Sequence, residues 1–160
     1  MRICQYNVAL DDTGRSTLVK ESSQNYPALD RLNSPGKVDQ VMRDAFRLHA
    51  RAEEYLYLVC TNTKGRPVGF FEVSHGTCHT MLVSPREIFV RALLCGASAI
   101  LVIHNHPSGD PAPSREDNAL TQRMREVADL IGIAFDDHVI IGSDTYYSYM
   151  EAGKLKREGV

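Results

Sequence analysis

The chain has 160 residues, of which 43% are hydrophobic and 24% charged, a composition typical of globular rather than disordered or fibrous proteins. This length predicts a single compact domain. A formal net charge of −2 argues against a broad basic surface, so we expect only weak binding to duplex DNA.

The N-terminal stretch and the cysteines indicate the cellular compartment. The sequence MRICQYNVALDD lacks the basic segment and long apolar core of a signal peptide, and no apolar run reaches membrane-spanning length. Four cysteines occur without any CxxC pair, so neither a zinc ribbon nor a disulfide framework is predicted. We therefore expect a cytoplasmic protein with reduced, mostly buried thiols: Cys4, Cys60, Cys78 and Cys95.

The first half of the chain predicts one helix and one hairpin. Residues 1–36 are polar and turn-rich, and we treat them as an N-terminal extension of unknown role. Apolar residues then recur at helical spacing: Val38, Val41, Met42, Ala45 and Phe46. This periodicity predicts an amphipathic helix that ends near Glu53. After it, turn chemistry in NTKGRP separates EYLYLVC from VGFFEVS, which predicts two antiparallel strands.

A capping pattern and a wholly apolar run follow. Ser84 as N-cap, Pro85 at the first helical position and Glu87 three residues after the cap predict the start of a helix. Gly96 closes that helix. The run ASAILVI is apolar throughout and partly β-branched, which predicts a strand covered on both faces and ending at His104.

The last third of the chain predicts a second long helix and two strands. Ser114 caps a helix that extends to about Leu130 and is followed by Gly132. Its expected buried face consists of Leu120, Met124, Val127, Ala128 and Ile131. IAFDDHVIIG and TYYSYM supply the final strands. This alternation of helices and strands predicts an α/β sandwich with a mixed sheet.

The stretch HNHPSGDPAPSRED has the pattern of a metal site. In an extended backbone the side chains of His104 and His106 project from the same face. Asp117 lies in the first turn of the next helix, from where its carboxylate can return toward the strand end. Two imidazoles and a carboxylate form a ligand set that catalytic zinc uses, and the metal lowers the pKa of a bound water from about 15.7 toward 7.

A second interpretation of the same residues needs no metal. Ser114 and Asp117 fit a capping box at the start of the helix, and acidic residues in a first turn are favoured by the helix dipole. The residue pattern alone leaves both interpretations open.

The wider pattern resembles a known family. H-x-H-P followed by Ser114-x-x-Asp117, with ten residues between His106 and Asp117, is similar to the JAMM motif of JAB/MPN metalloproteases. The segment SPREIFVRALLCGASAILVIHNHPSGDPAPSRED, followed by DDHVIIG, resembles the RadC-like branch. The resemblance implies a three-layer α/β/α sandwich, related to cytidine deaminases, over residues 37–153. Residues 154–160 then form a basic tail.

The resemblance also implies roles for individual residues. His104, His106 and Asp117 would bind Zn²⁺, and Ser114 would hydrogen-bond an oxyanion or lie near the zinc-bound water. The catalytic base of the family is a Glu just before an early apolar strand. That position corresponds to Glu54, with Glu53 as the alternative. The pair Asp137 and His138 would support the ligands.

These roles together predict a zinc-dependent hydrolase that cleaves a peptide or isopeptide bond in a peptide or protein substrate. Two alternatives are a noncatalytic protein-interaction module and an accessory to DNA repair. Full-length RadC proteins carry a helix-hairpin-helix segment upstream, and residues 1–36 leave no room for one, which disfavours the DNA role. The identity of the substrate and the oligomeric state stay open.

Overall fold

A seven-stranded mixed sheet forms the centre of the fold. The computed structural model describes residues 1–76 and 83–155. The elements in chain order are β1 Arg2–Leu10, β2 Ser16–Asn25, α1 Pro35–Phe46, β3 Glu54–Thr61, β4 Pro67–Gly76, α2 Pro85–Leu94, β5 Ala99–Asn105, α3 Arg115–Ile131, β6 Ala134–Ile141 and β7 Tyr146–Ser148. The strand order is β2-β1-β4-β3-β5-β6-β7, with β1–β4 and β5–β6 parallel and the other neighbours antiparallel.

Helices cover both faces of the sheet. The apolar side of α1, including Val41 and Phe46, packs in one core cluster with Leu101 and Ile103 of β5. Residues of α2 and α3 pack in a second cluster with the alternate β5 residues, including Val102. Because β5 is buried on both faces, it has the continuous apolar sequence that predicted it. The predicted three-layer α/β/α sandwich is thus confirmed.

The N-terminal segment contributes a hairpin to the sheet. β1 and β2 pair along their length, and β1 joins the edge of the sheet through a parallel pairing of Gln5 with Phe70. Ile3 is only 1% exposed and belongs to the core cluster beneath α1. Most of β2 is exposed, which explains why its sequence shows no apolar alternation.

One sequence-based boundary and one predicted core residue differ from the structure. The first helix ends at Phe46 rather than near Glu53, because Arg47 adopts a left-handed conformation with φ 50° and its N–H caps the helix. A short 3-10 turn, Leu48–Ala50, follows and buries Leu48 completely. On α3, Ile131 was expected in the core but is 37% exposed, since it is the last residue of the helix.

The remaining expectations concern thiols, the tail and the membrane. Cys60, Cys4 and Cys95 are all free thiols. Only Cys60 is buried, and the other two are half-buried, so the expectation of mostly buried thiols is wrong for the described cysteines. Cys78 and residues 156–160 of the tail lie outside the described residues. Within the described ranges, no helix has both the length and the apolar character needed to cross a membrane.

Candidate metal centre

The two histidines of the motif lie at the carboxyl end of β5. His104 is 1% exposed and His106 is half-buried, and their Nε2 atoms are 3.0 Å apart. The strand continues past β5 because the His106 N–H donates to the Ile141 carbonyl at the end of β6. The expected same-face arrangement of the two imidazoles is therefore present in the structure.

Asp117 reaches this point from the first turn of α3. Its Oδ1 is 3.0 Å from His104 Nε2, and its Oδ2 is 3.4 Å from His106 Nε2. Oδ2 also accepts hydrogen bonds from the backbone N–H and the hydroxyl of Ser114, while the Asp117 N–H donates to Ser114 Oγ. The capping box thus forms, and it also aims the carboxylate at the histidines. The two interpretations of this spacing are compatible.

Glu54 faces the same point from the start of β3. It is 8% exposed, and its Oε1 lies 3.8 Å from His104 Nε2. The side chain of Glu53 is exposed, and its carbonyl accepts from Asn105 Nδ2. Asn105 Oδ1 in turn accepts the Tyr55 N–H. Asn105 therefore holds the first residues of β3 against the end of β5 and sets the strand register that points Glu54 inward.

The donor set fits a divalent metal ion. Among the described residues, Glu54, His104, His106 and Asp117 each offer one ligand atom, all within 4.8 Å of one another. Ligand atoms about 2.0–2.1 Å from a tetrahedral zinc ion lie about 3.3 Å apart, close to the separations between the histidines and Asp117. His106 Nδ1 is 2.9 Å from the Asp110 carbonyl, which only accepts, so Nδ1 carries a proton and, in the neutral ring, Nε2 offers its lone pair.

The Asp117 carboxylate and the His106 imidazole shift each other's pKa values. Burial alone would raise the pKa of Asp117, but hydrogen bonds and charge from His104 and His106, together with Ser114, lower it far below its usual value. The hydrogen bond to Asp117 raises the pKa of His106, and burial opposes that shift. The carboxylate therefore remains ionised, which is the form that binds metal.

The hydrogen bond that the Ser114 hydroxyl makes limits its expected role as a donor to an oxyanion. Its hydroxyl proton is donated to Asp117 Oδ2 over 2.6 Å, so the hydroxyl can donate to an oxyanion only if that bond breaks. The contact with an oxyanion stays a prediction. What the structure shows is that Ser114 orients Asp117.

Of the pair expected to support the ligands, His138 contacts the site. Its Nε2 is 2.9 Å from His104 Nδ1, and its Nδ1 is 2.6 Å from Thr121 Oγ1. Asp137 instead accepts from Ser148 Oγ and the Met150 N–H, and burial raises its pKa to about 6. Thr121 was missed by the sequence analysis, although its position four residues after Asp117 places both on one helix face.

The loop after His106 is fixed by the turn between β6 and β7. The Ser143 N–H donates to the Gly109 carbonyl, and the Gly109 N–H donates to the His106 carbonyl. On the opposite side, the guanidinium of Arg43 on α1 donates to the carbonyls of residues 142, 143 and 145. Arg43 thereby ties the motif loop to the helix layer on the other face of the sheet.

The contact at Gly142 gives a testable prediction. A Cβ on Gly142 would collide with the Gly109 carbonyl oxygen and lie 2.8 Å from Pro111 Cδ. We expect Gly142→Ala to displace the motif loop, costing about 1–3 kcal/mol of stability and weakening metal binding. Gly132→Ala is the control: that site is open but has φ +77°, so only stability should fall, by about 1 kcal/mol. Equal metal affinity in both variants, measured by chelator competition, would contradict this prediction.

An α/β/α sandwich with two histidines, an aspartate and a glutamate at the end of a buried strand defines a domain organised around a candidate metal centre. The chain belongs to the RadC-like JAB domain family, whose family model matches residues 32–154. The matched region begins after the N-terminal hairpin and includes every residue of the candidate metal centre.

Curated relatives support the same assignment. The chain is 38% identical over 133 residues to a UPF0758 protein of Geotalea uraniireducens, covering 83% of this chain and 58% of the relative. It is 42% identical to a UPF0758 protein of Trichlorobacter lovleyi, covering 79% and 54%, and 35% identical to one of Thermotoga maritima, covering 79% and 55%. The chain thus spans about half the length of the curated relatives it matches.

Proposed function

We propose that this domain is a zinc-dependent hydrolase that cleaves a peptide or isopeptide bond. The observation that carries the proposal is the convergence of His104 Nε2, His106 Nε2 and Asp117 on one point, with Glu54 beside them. Two imidazoles and one carboxylate are a ligand set that catalytic zinc uses, because it leaves a coordination position open. Membership of the JAB family agrees with this chemistry.

In the proposed reaction the chain's own residues bind the ion and move a proton. A zinc ion bound at this site would supply Lewis acidity, which lowers the pKa of water and polarises a carbonyl. Glu54 is buried, 3.8 Å from His104, and takes the position of a general base. It accepts the proton of the attacking water and passes it to the leaving amine nitrogen. The capping box keeps Asp117 oriented throughout.

The rival to this proposal is a domain in which the capping box serves only to start α3 and the cluster has no catalytic role. Metal content separates these accounts. We expect protein purified without added zinc to contain about one zinc ion per chain by elemental analysis. Zinc added to chelator-treated protein should raise its melting temperature. At a zinc concentration 100 times Kd, binding to the folded state raises the free energy of unfolding by about 2.7 kcal/mol.

Activity is then measured on a panel of peptide and isopeptide-linked fluorogenic substrates. We expect cleavage that a chelator abolishes and stoichiometric zinc restores. A protein that neither contains zinc nor gains stability from it would contradict the metal site. A protein that holds zinc but cleaves no member of the panel would favour the noncatalytic module.

A further inference from the structure

His138 is a fully buried histidine next to a metal ligand. It lies on β6, parallel to β5, and is 0% exposed. Its Nε2 is 2.9 Å from His104 Nδ1, the ring nitrogen on the side away from the converging ligand atoms. Its other nitrogen, Nδ1, is 2.6 Å from Thr121 Oγ1. Both nitrogens of His138 are therefore occupied by protein partners.

The hydrogen bonds from His104 through His138 to Thr121 form a series, and their directions follow from the last acceptor, the Asp117 carbonyl. Thr121 Oγ1 is 2.7 Å from the Asp117 carbonyl, which can only accept, so the Thr121 hydroxyl proton is donated there. The same hydroxyl must then accept from His138, which places a proton on His138 Nδ1. A histidine that holds an ion through Nε2 donates the N–H of its other ring nitrogen, and His104 Nδ1 faces only His138 Nε2. His138 Nε2 is consequently an acceptor.

The consequence for His104 is a defined tautomer. Since His138 Nε2 accepts, His104 Nδ1 donates and carries the proton of the neutral ring. His104 Nε2 then presents its lone pair to an ion at the point where His106 Nε2 and Asp117 Oδ1 converge, in place of the hydrogen bond that a protonated ring donates to Asp117. In His106 the proton on Nδ1 is fixed by a backbone carbonyl, that of Asp110. In His104 it is fixed by a side chain, that of His138.

The surrounding packing keeps this chain of hydrogen bonds in place. The ring of Tyr149 is 2% exposed and stacks on His138 with an interplanar angle of 6° and a centroid distance of 5.1 Å. The Tyr149 hydroxyl donates to Asn118 Oδ1 on α3. Tyr149 thus holds His138 against α3, the helix that supplies both Thr121 and the ligand Asp117.

We propose that His138 and Thr121 are positioning residues of the metal centre: together they fix the proton of His104 on Nδ1 and so present its Nε2 lone pair to the ion. The inference rests on the proposed metal site but not on the proposed hydrolysis. Asp117 on α3 takes part in both the metal centre and this series of hydrogen bonds. Its carboxylate is a proposed ligand, and its carbonyl accepts the Thr121 hydroxyl.

The test compares zinc affinity in isosteric variants by competition with a chromophoric zinc chelator. Thr121→Val removes the hydroxyl at constant size, and His138→Phe removes both nitrogens but keeps a ring against Tyr149. Loss of such a hydrogen-bond partner typically weakens metal binding about 10- to 100-fold, which we expect for both. Thr121→Ser restores the hydroxyl and should bind zinc like the unchanged protein.

Thr61→Val is the matched control for a general loss of stability. Thr61 is 0% exposed on β3, and its hydroxyl donates to the Ala99 carbonyl at the end of β5 away from the site. We expect Thr61→Val to lower the melting temperature without changing zinc affinity. Zinc affinity unchanged in Thr121→Val and His138→Phe, or lowered equally in Thr61→Val, overturns the proposal.

A second measurement reads the tautomer itself. Long-range ¹H–¹⁵N correlation spectra of ¹⁵N-histidine-labelled protein, taken as purified, report which nitrogen of His104 carries hydrogen. We expect Nδ1–H in the unchanged protein and in Thr121→Ser, and a loss of this single form in Thr121→Val. A proton on Nε2 in the unchanged protein overturns the proposal. If zinc is absent but the Nδ1–H form is found, the hydrogen-bond chain stands and the proposed function fails.

Discussion

Replacing Glu54 with glutamine is expected to lower the rate of hydrolysis by about 10²- to 10⁴-fold, the usual contribution of a general base, while zinc content and melting temperature stay close to those of the unchanged protein. Glutamine keeps the size and packing of the side chain and removes its basicity. The effect should appear in kcat, since the proton is transferred only in the transition state. It is measured on the substrate that the unchanged protein cleaves.

The adjacent carboxylate provides a matched control. Glu53→Gln makes the same chemical change one residue earlier, where the side chain is exposed and strand alternation turns it away from His104. We expect this variant to hydrolyse at the unchanged rate. If Glu53→Gln is inactive and Glu54→Gln is not, the base is assigned to the wrong residue. If Glu54→Gln loses its zinc, Glu54 is a ligand rather than a base.

The sequence predicts the convergence of His104, His106 and Asp117 because these residues are close together in the chain. His104 and His106 share one strand face by local geometry, and Asp117 is brought back by a capping pattern that is legible in the sequence. The same applies to β5, α2 and α3, whose apolar periodicity and caps are strong. In each of these cases the decisive contacts lie within about a dozen residues.

Features that depend on distant contacts are the ones the sequence does not predict. The N-terminal hairpin has a weak pattern because β2 is mostly exposed, and its place at the sheet edge depends on the pairing with β4. Nothing in the sequence marks Arg47 as the end of α1, because a non-glycine residue takes the left-handed conformation there. The contact of Thr121 with His138 requires α3 and β6 to be packed together.

The same distinction applies to the choice between the two glutamates. Alternation along β3 places Glu54 on the face of Leu56 and Leu58, which pack in the core cluster that contains α2 and α3 residues. The sequence shows this alternation but not which face carries the candidate metal ligands. That information comes from the pairing of Leu56 with His104 in the sheet.

Asp117→Asn is expected to give the second large effect, a loss of most zinc binding. The aspartate side chain uses both oxygens: Oδ1 faces His104, while Oδ2 accepts both the N–H and the hydroxyl of Ser114. Asparagine has one acceptor oxygen and one amide nitrogen, so it can make only one of these two sets of contacts.

Either orientation of the amide therefore breaks one part of the site. With its oxygen toward Ser114, the helix cap survives and the NH₂ group faces His104 Nε2, which blocks metal binding. With its oxygen toward the histidines, the NH₂ group meets the Ser114 N–H, and the neutral oxygen is a poorer ligand than a carboxylate. We expect zinc affinity to fall at least as far as in the Thr121 and His138 variants, about 100-fold or more, because a ligand is lost directly.

Ser114→Ala separates the cap from the ligand. It removes the hydroxyl that bonds Asp117 but leaves the backbone N–H to Oδ2 and keeps Oδ1 directed at His104. Loss of such a cap costs about 0.5–2 kcal/mol, so the stability of Ser114→Ala should fall by about that amount, while its zinc affinity falls much less than that of Asp117→Asn. Melting temperature and zinc competition measured on both variants decide the matter. If Asp117→Asn binds zinc as tightly as Ser114→Ala, the carboxylate at this position is a helix cap and not a metal ligand.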